Sequence, residues 1–495
     1  MIYSDRLAQT GADLELPVKL PRPVAIRLHW LLLVVCLGVY VFLFALYYPP
    51  LSAIEDEVGF VNQAIVWSKG AVSAESAGYP TMGDFVGVNG RSVGWRNPGR
   101  SLIILPFIVL GGIRSVFVTG VLIHLAMTVV AALVHRTLGQ SPLWALLVLG
   151  HPTLGIYSRT VMGDAPAGLF VLAAVLVILS RPRPGLSAGL LVGLGAVMRY
   201  HVLLILPFLT VALWQDRSIE RSRLESMKFL AAASSITALL VIYNASLYGS
   251  ILGITAQGYF SWRFLLPHIL FYSLTLLLLW PGMLLAPLLD RSRLSLLARA
   301  GCFPILLLFS FYYFHDHGSS WAEDLVLGQR LIQCVLPLWI VAYASVISRK
   351  VAPVIANLSP VFWRTATGVS AVLLFLTQWY TFRKHQDHLL VLRSVRDEVA
   401  AAVPAGSPIV ANYMVQKLFG IADPATPSYS WIRLDEADQE PGGSLLRGGQ
   451  SWYCVVFPKG PDDQALKGLP EFFRRHHLKS VSTRTPSLLV YSATQ

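Results

Sequence analysis

Tyr47-Tyr48-Pro49-Pro50-Leu51-Ser52-Ala53-Ile54-Glu55-Asp56-Glu57 closes the apolar run Ile26–Tyr48 and opens a polar stretch that lasts to Arg100. The run before it is long enough to cross a hydrocarbon core of about 30 Å. Three consecutive acids therefore stand directly beside a membrane. Ionisable groups in such a place are costly and are usually functional. Working outward, the 495 residues are 55% hydrophobic and only 13% charged, with a mean hydropathy of +0.58. Soluble domains carry about 25% charged residues, so the chain reads as a polytopic α-helical membrane protein. The net charge of +12 invites a nucleic-acid partner, but Lys and Arg held in cytoplasmic loops account for it without one. Cys36, Cys302 and Cys334 lie in apolar runs and Cys454 alone in a polar region, which gives no disulfide framework. The first apolar run exceeds a signal h-region, lacks a small-x-small site after it, and follows Lys19, Arg22 and Arg27. It is expected to be an uncleaved anchor with its N-terminus inside.

Apolar runs predict about eleven spans, near 26–48, 114–137, 141–157, 164–180, 185–198, 199–214, 228–248, 267–289, 298–315, 331–348 and 361–381. Charge supports the count. Arg181 and Arg183, then Arg217, Arg221, Arg223 and Lys228, then Arg291, Arg293 and Arg299, then Arg349, Lys350 and Arg364 all fall on the N-terminal side. Residues 185–214 form one run interrupted by Arg199-Tyr200-His201. Two half-length helices meeting at Arg199 keep both flanking basic loops on one side, with the turn protected in the bundle. An odd number of spans puts the tail outside. Residues 1–382 then form the membrane domain, with a first extracytoplasmic loop at 49–113, and 383–495 form a small extracytoplasmic α/β domain. The tail has helical spacing in Leu389, Leu392, Val395 and Val399. Short apolar runs follow at 408–414, 452–457 and 488–491, with a further helix around 463–476. His476-His477 is adjacent on that helix and cannot face one metal.

Three constellations can carry chemistry. Glu55-Asp56-Glu57 begins an amphipathic stretch (Val58, Val61, Ile65, Val66) suited to the membrane surface, followed by a polar run with Asp84, Asn89, Arg96 and Arg100. The bland alternative is that acids merely favour a first helical turn. Arg159 and Asp164 flank the connection before the fourth span, where a local ion pair is the ordinary explanation. Arg199, His201, Arg263, His268 and Arg330 lie on the side that the positive-inside tendency disfavours. A single one could snorkel, whereas several converging suit an anion such as phosphate. His315-Asp316-His317 is a weak metal signal, better read as water-facing polarity.

Taken together these residues resemble the GT-C superfamily of membrane glycosyltransferases, in the branch of the protein O-mannosyltransferases and the aminoarabinose transferases of lipid A. Asp56-Glu57 matches its acidic pair after the first span. Tyr157-Ser158-Arg159 through Asp164 is similar to its second acidic motif. Gly193 through Tyr200 resembles its glycine-rich helix ending in a basic residue, usually Lys and here Arg199. Gly328 and Arg330 ahead of Pro337 resemble its late Gly-x-Arg motif. The resemblance covers most of 26–382. It implies an inverting transfer of a sugar from a polyprenyl-phosphate donor to an acceptor hydroxyl (glycan, lipid or protein) outside a bacterial cytoplasmic membrane. It implies Asp56 as base, Glu57 as its orienter or substitute, and Asp164 shaping the site. Arg199 and Arg330 would hold the lipid phosphate, with His201, Arg159, Arg263 and His268 as further donors. Which of the three acids takes the proton stays open. No cofactor is implied beyond a divalent metal ion, which some members use and others do not. An O-antigen ligase or polymerase would keep its arginines in one large late loop, and 315–330 is short. A flippase or transporter would show two related halves, and the break at Arg199 has no counterpart.

Overall fold

The computed structural model describes residues 23–52, 54–75, 85–88, 91–94, 96–249, 260–313, 320–421, 427, 429–434, 451–458, 469–481, 483–485 and 487–493. Helix α1 (Pro23–Leu46) buries Leu33, Tyr40, Leu43 and Phe44 and exposes Leu31, Val34, Phe42 and Leu46, one side for the bundle and one for lipid. The three acids start α2 (Glu55–Ser68). Antiparallel strands β1 (Ala74–Glu75), β2 (Phe85–Val88) and β3 (Arg91–Gly94) follow, in the order β1-β3-β2. Asp84 and Asn89 lie outside the described residues. The polar connection then ends in an apolar helix, α3 (Pro98–Gly111), begun by a proline whose missing N–H costs nothing in the first turn.

After a 3-10 turn at Ile113–Phe117 come α4 (Val118–Thr137), α5 (Leu146–Leu149), α6 (Pro152–Tyr157), α7 (Asp164–Ser180), α8 (Gly185–Met198), α9 (Ile205–Gln215) and α10 (Ser222–Tyr248). The expected span at 141–157 is three short pieces, because Pro142 opens a 3-10 turn and Pro152 opens α6, where a mid-helix proline would clash. The break at Arg199 is present. α8 stops at Met198, Arg199 is extended (φ −148°, ψ 116°), and a 3-10 turn at Tyr200–Leu204 leads into α9. α8 lies backbone to backbone on α10. A Cβ on Gly185 would come within 2.1 Å of Glu225 O, and one on Gly189 within 2.2 Å of Phe229 O. Small residues permit such contact where both helices sit in lipid.

Next are α11 (Leu265–Leu279), α12 (Leu285–Leu289), α13 (Arg293–Ser310), α14 (Trp321–Leu327), α15 (Leu336–Val346), α16 (Ala352–Leu358) and α17 (Pro360–Ala402). The expected span 267–289 breaks between α11 and α12, at Pro281 and at Gly282 with φ +83°. Among the described residues six stretches are long and apolar enough to cross a membrane: Arg27–Leu46, Ile113–Thr137, Ser222–Tyr248, Trp262–Leu279, Arg293–Ser310 and Leu336–Asn357. The protein is thus an integral membrane protein. Asp164–Ser180, Gly185–Met198 and Tyr200–Gln215 are apolar but shorter. Short helices survive because their ends are buried in protein. The main core unites α4, α7, α8, α9, α13 and α15 through Met127, Val171, Val192, Leu209, Ile305 and Trp339.

α17 is 43 residues of continuous helix, about 65 Å at 1.5 Å per residue. Leu389, Leu392, Val395 and Val399 on its far part are buried in the core of a C-terminal sheet. That sheet contains β4 (Pro408–Ala411), then α18 (Tyr413–Leu418), β5 (Ser430–Arg433), β6 (Trp452–Val456), α19 (Leu469–Arg475), β7 (Lys479–Val481) and β8 (Leu489–Ala493). The strand order is β5-β4-β6-β8-β7, with β4 parallel to β5 and β6, and β8 antiparallel to β6 and β7. Strands β5 and β7 had no counterpart among the apolar runs read from sequence.

Candidate active site

Four helix ends bring distant residues together. Asp56 sits in the first turn of α2, Asp164 opens α7, Arg199 caps α8, and Arg330 begins the 3-10 turn ahead of α15. Carboxylates in first turns lie where the helix dipole favours them. Two glycines make room. A Cβ on Gly163 would stand 3.0 Å from Met198 O and 3.4 Å from Arg199 Nε, and one on Gly328 would stand 2.2 Å from the Phe271 ring.

The ion pairs define a compact cluster. Arg96 Nη2 lies 2.9 Å from Asp56 Oδ1. Arg199 Nη2 and Arg330 Nη2 both donate to Asp56 Oδ2, each at 3.2 Å. Arg199 Nη2 also reaches Asp164 Oδ2 at 2.5 Å. Among the described ion pairs three guanidinium groups contact two carboxylates, one positive charge in excess within those pairs, and the Glu55 carboxyl lies within reach of Arg96 and Arg330. The Asp164 side chain is only 2% exposed against 16% for Asp56, so Asp164 fixes Arg199 while Asp56 can be reached from outside. Burial alone would raise the Asp56 carboxyl, but Arg96, Arg199 and Arg330 outweigh it and hold it well below the usual carboxylate range. Burial pushes Glu55 the other way, above its ordinary value.

Glu57 does something else. Its Oε2 accepts the Ile54 N–H at 3.0 Å and its Oε1 accepts the Val161 N–H at 2.7 Å. It caps α2 with half a capping box, since Ile54 has no side-chain acceptor, and pins the helix to the connection before α7. Arg100 is buried, donates to Thr119 Oγ1 at 2.8 Å, and has the Glu57 charge acting on it. Arg159 stands apart from the acid cluster. It is 1% exposed and donates to Tyr47 O (3.1 Å from Nε), Phe382 O (2.9 Å), Gln386 Oε1 (2.5 Å) and His385 Nδ1 (2.9 Å). Here it forms a clasp joining the segment just after α1 to α17. Its donors are taken by carbonyls and side chains of the protein itself.

His201, His268 and Arg263 form a second tier. The His201 ring meets Phe309 edge-on at 5.0 Å, His268 Nδ1 lies 3.4 Å from Phe309 O, Phe264 stacks on His268 at 5.6 Å, and Arg263 covers Phe264 at 4.5 Å. Among the described residues, Arg199 and His201, two positions apart in the break after α8, link this tier to the cluster. A network on α10 had no expectation behind it. Gln63 Nε2 donates to Tyr243 OH at 3.0 Å, Ser101 Oγ donates to Gln63 Oε1 at 2.7 Å, Tyr200 OH donates to Asn244 Oδ1 at 3.1 Å, and Tyr248 OH donates to Gly94 O. It ties β3, two residues before Arg96, to the bundle. The polar residues inside the apolar α10 were its available signal. Among the described residues no three His, Cys, Asp or Glu side chains converge as a metal-binding group; His315-Asp316-His317 lies outside them.

This arrangement of helices is shared with solved structures of another membrane protein. Two solved structures of ArnT from Cupriavidus metallidurans, in the apo state and bound to undecaprenyl phosphate, each superpose with a TM-score of 0.59. Each covers 93% of this chain at 13% sequence identity, and 97% and 98% of the respective ArnT chains are covered. The likeness is one of fold. No protein-family model matches the chain, and no curated protein does.

Proposed function

We propose that this chain is an inverting glycosyltransferase that moves a sugar from a polyprenyl-phosphate donor to an acceptor hydroxyl at the outer face of a bacterial cytoplasmic membrane. The observation that carries the reading is Asp56 Oδ2 sharing Arg199 Nη2 and Arg330 Nη2. One carboxylate that can act as a base shares the cations a phosphate would need. The complex of ArnT with undecaprenyl phosphate supports a lipid phosphate as the occupant. On this reading residues 1–382 form the membrane catalytic domain with a cytoplasmic N-terminus, and 383–495 lie outside.

Before the donor arrives, Asp56 is neutralised by three guanidinium groups and is a poor base. The donor phosphate takes Arg199 and Arg330, which releases the Oδ2 lone pair while Arg96 keeps Oδ1 in place. Asp56 then accepts the acceptor hydroxyl proton as the oxygen attacks the anomeric carbon. The bond from that carbon to the phosphate oxygen breaks with its electron pair, and the two arginines hold the charge that develops on the leaving phosphate. Attack from the face opposite the phosphate inverts the centre, through an oxocarbenium-like transition state of the kind met in glycoside hydrolysis. Asp164 keeps Arg199 aimed, and Glu57 holds α2.

The test is binding and transfer by the purified full chain across a panel of polyprenyl-phosphate sugars, with Arg330→Gln beside the parent. Transfer by the parent, with weaker donor binding in the variant, is expected. No binding of any lipid-phosphate sugar by the parent refutes the reading and moves the weight to lipid transport, which flux assays in vesicles then measure.

A further inference from the structure

Helix α2 is held on a side the chemistry above does not use. Glu55, Val58 and Asn62 follow one another at helical spacing; Val58 and Asn62 meet Gly420, just past α18, and Glu55 faces α18 itself. Asn62 is 2% exposed, and its Nδ2 donates to Gly420 O at 2.7 Å in a buried bond. A Cβ on Gly420 would stand 2.8 Å from Val58 Cγ1, so only a glycine lets the backbone lie this close. The Lys417 charge acts on Glu55. The next residue, Ile421, packs into the cluster that holds Phe60 and Val61 of α2. In the other direction Leu51, just before α2, is buried in the core under the C-terminal sheet. The bundle grips α2 through Glu57 and Val161 N, and the C-terminal unit grips it through Asn62 and Gly420 O.

We propose that Asn62 is a positioning residue, through which the C-terminal sheet unit holds α2, and with it the Asp56 carboxylate, against Arg199 and Arg330. The C-terminal unit is then a working part of the site even though it places none of its own side chains on Asp56 among the described contacts. A buried carbonyl and amide that lose each other leave unsatisfied groups, and α2 relaxes away from the cluster. A displacement of about 1 Å at a reacting group can lower turnover about 100-fold. Donor binding follows a different rule, because the arginines stay on the bundle.

Two variants of the full chain test this, Asn62→Leu, which keeps the side-chain shape and removes the donor, and Gly420→Val, which wedges the same contact from the other side. Two readouts are used: amide hydrogen exchange across Glu55–Ser68, and kcat beside the dissociation constant for a polyprenyl phosphate. Exchange is expected to accelerate within α2 while α4 and α7 keep their protection. On the transferase reading, kcat falls about 10- to 100-fold and the lipid phosphate binds as tightly as in the parent or more so. Unchanged α2 exchange in both variants overturns the proposal. So does a parallel loss of protection in α4 and α7, which would mark general unfolding. A parent that neither transfers nor binds lipid phosphate refutes the proposed function instead, and the exchange experiment still decides whether Asn62 holds α2.

Discussion

Asp56→Asn is expected to tighten donor binding while it abolishes transfer. The two effects have opposite signs because the carboxylate sits on the cations the phosphate uses. Asp56 Oδ2 occupies Arg199 Nη2 and Arg330 Nη2, each at 3.2 Å. The substitution raises the excess of positive charge in the cluster from one to two. A phosphate seated on those two guanidinium groups would lie about 6 Å from the carboxylate, where an effective dielectric of about 20 gives a repulsion of about 3 kcal/mol per charge pair. Asp56 is partly exposed, and screening removes about half of that. About 1.4 kcal/mol remains, which is a tenfold gain in donor affinity. Removing a general base lowers turnover by about 100- to 10,000-fold. The assay pairs equilibrium binding of a polyprenyl phosphate with transfer from the matching lipid-linked sugar. Weaker binding in Asp56→Asn, or transfer within tenfold of the parent, would refute the reasoning.

Glu57→Gln is expected to keep most of the transfer activity and lose about 1–2 kcal/mol of stability, because the amide can accept only one of the two backbone N–H bonds; near-complete loss of transfer in a protein with unchanged thermal stability would make Glu57 the base. Arg159→Met leaves Tyr47 O, Phe382 O and Gln386 without their charged donor, at about 1.5–3 kcal/mol per lost bond, so the melting temperature in detergent should fall steeply while donor affinity per folded molecule holds. A drop in affinity at unchanged stability would return Arg159 to the substrate. Gly189→Leu should prevent α8 from seating on α10, and its yield of folded protein should fall far below that of the parent and of Leu190→Ala at the exposed neighbouring position. The pH dependence follows from the Asp56 carboxyl being held below its ordinary value of about 4. A group whose folded-state value is depressed contributes stability above its unfolded value and loses it as the pH falls towards the folded one. The stability gap between the parent and Asp56→Asn should therefore be full at pH 5–7 and shrink below about pH 4; a gap that widens on acidification would contradict the ion-paired carboxylate.

The parts of the site that were legible in sequence are those where a polar residue interrupts an apolar pattern. Arg199-Tyr200-His201 breaks a run of apolar residues, and the chain breaks there. Asp56, Asp164 and Arg330 stand at the ends of such runs, and the ends meet. Arg159 was legible as unusual but not as a clasp, because two of its four partners are main-chain carbonyls, which any sequence possesses, and three of the four arrive from more than 200 residues away. Glu57 was indistinguishable from its two acidic neighbours until the helical turn gave each a different direction. The division of 141–157 was visible in Pro142 and Pro152, which hydropathy alone overrode. The polar run Arg383-Lys384-His385 ends the apolar pattern near 381, but nothing there shows that the helix continues unbroken to Ala402 and into the sheet core. The bond from Asn62 to Gly420 O had no local signal at all.

The clasp has a consequence for the order in which the molecule is completed. Arg159 reaches Phe382 O across 223 positions of chain, and Asn62 reaches Gly420 O across 358. Synthesis at about 5–20 residues per second places Phe382 about 10–45 s behind Arg159. Through that interval a guanidinium destined for the interior waits without its last partners, in the insertion machinery or at the bilayer surface. The catalytic helix waits longer still. The second grip on α2 is thereby tied to the end of translation, and a ribosome that stalls just before residue 382 releases a bundle whose first acids have Val161 N, Arg96, Arg199 and Arg330 but whose α2 lacks the bond to Gly420 O.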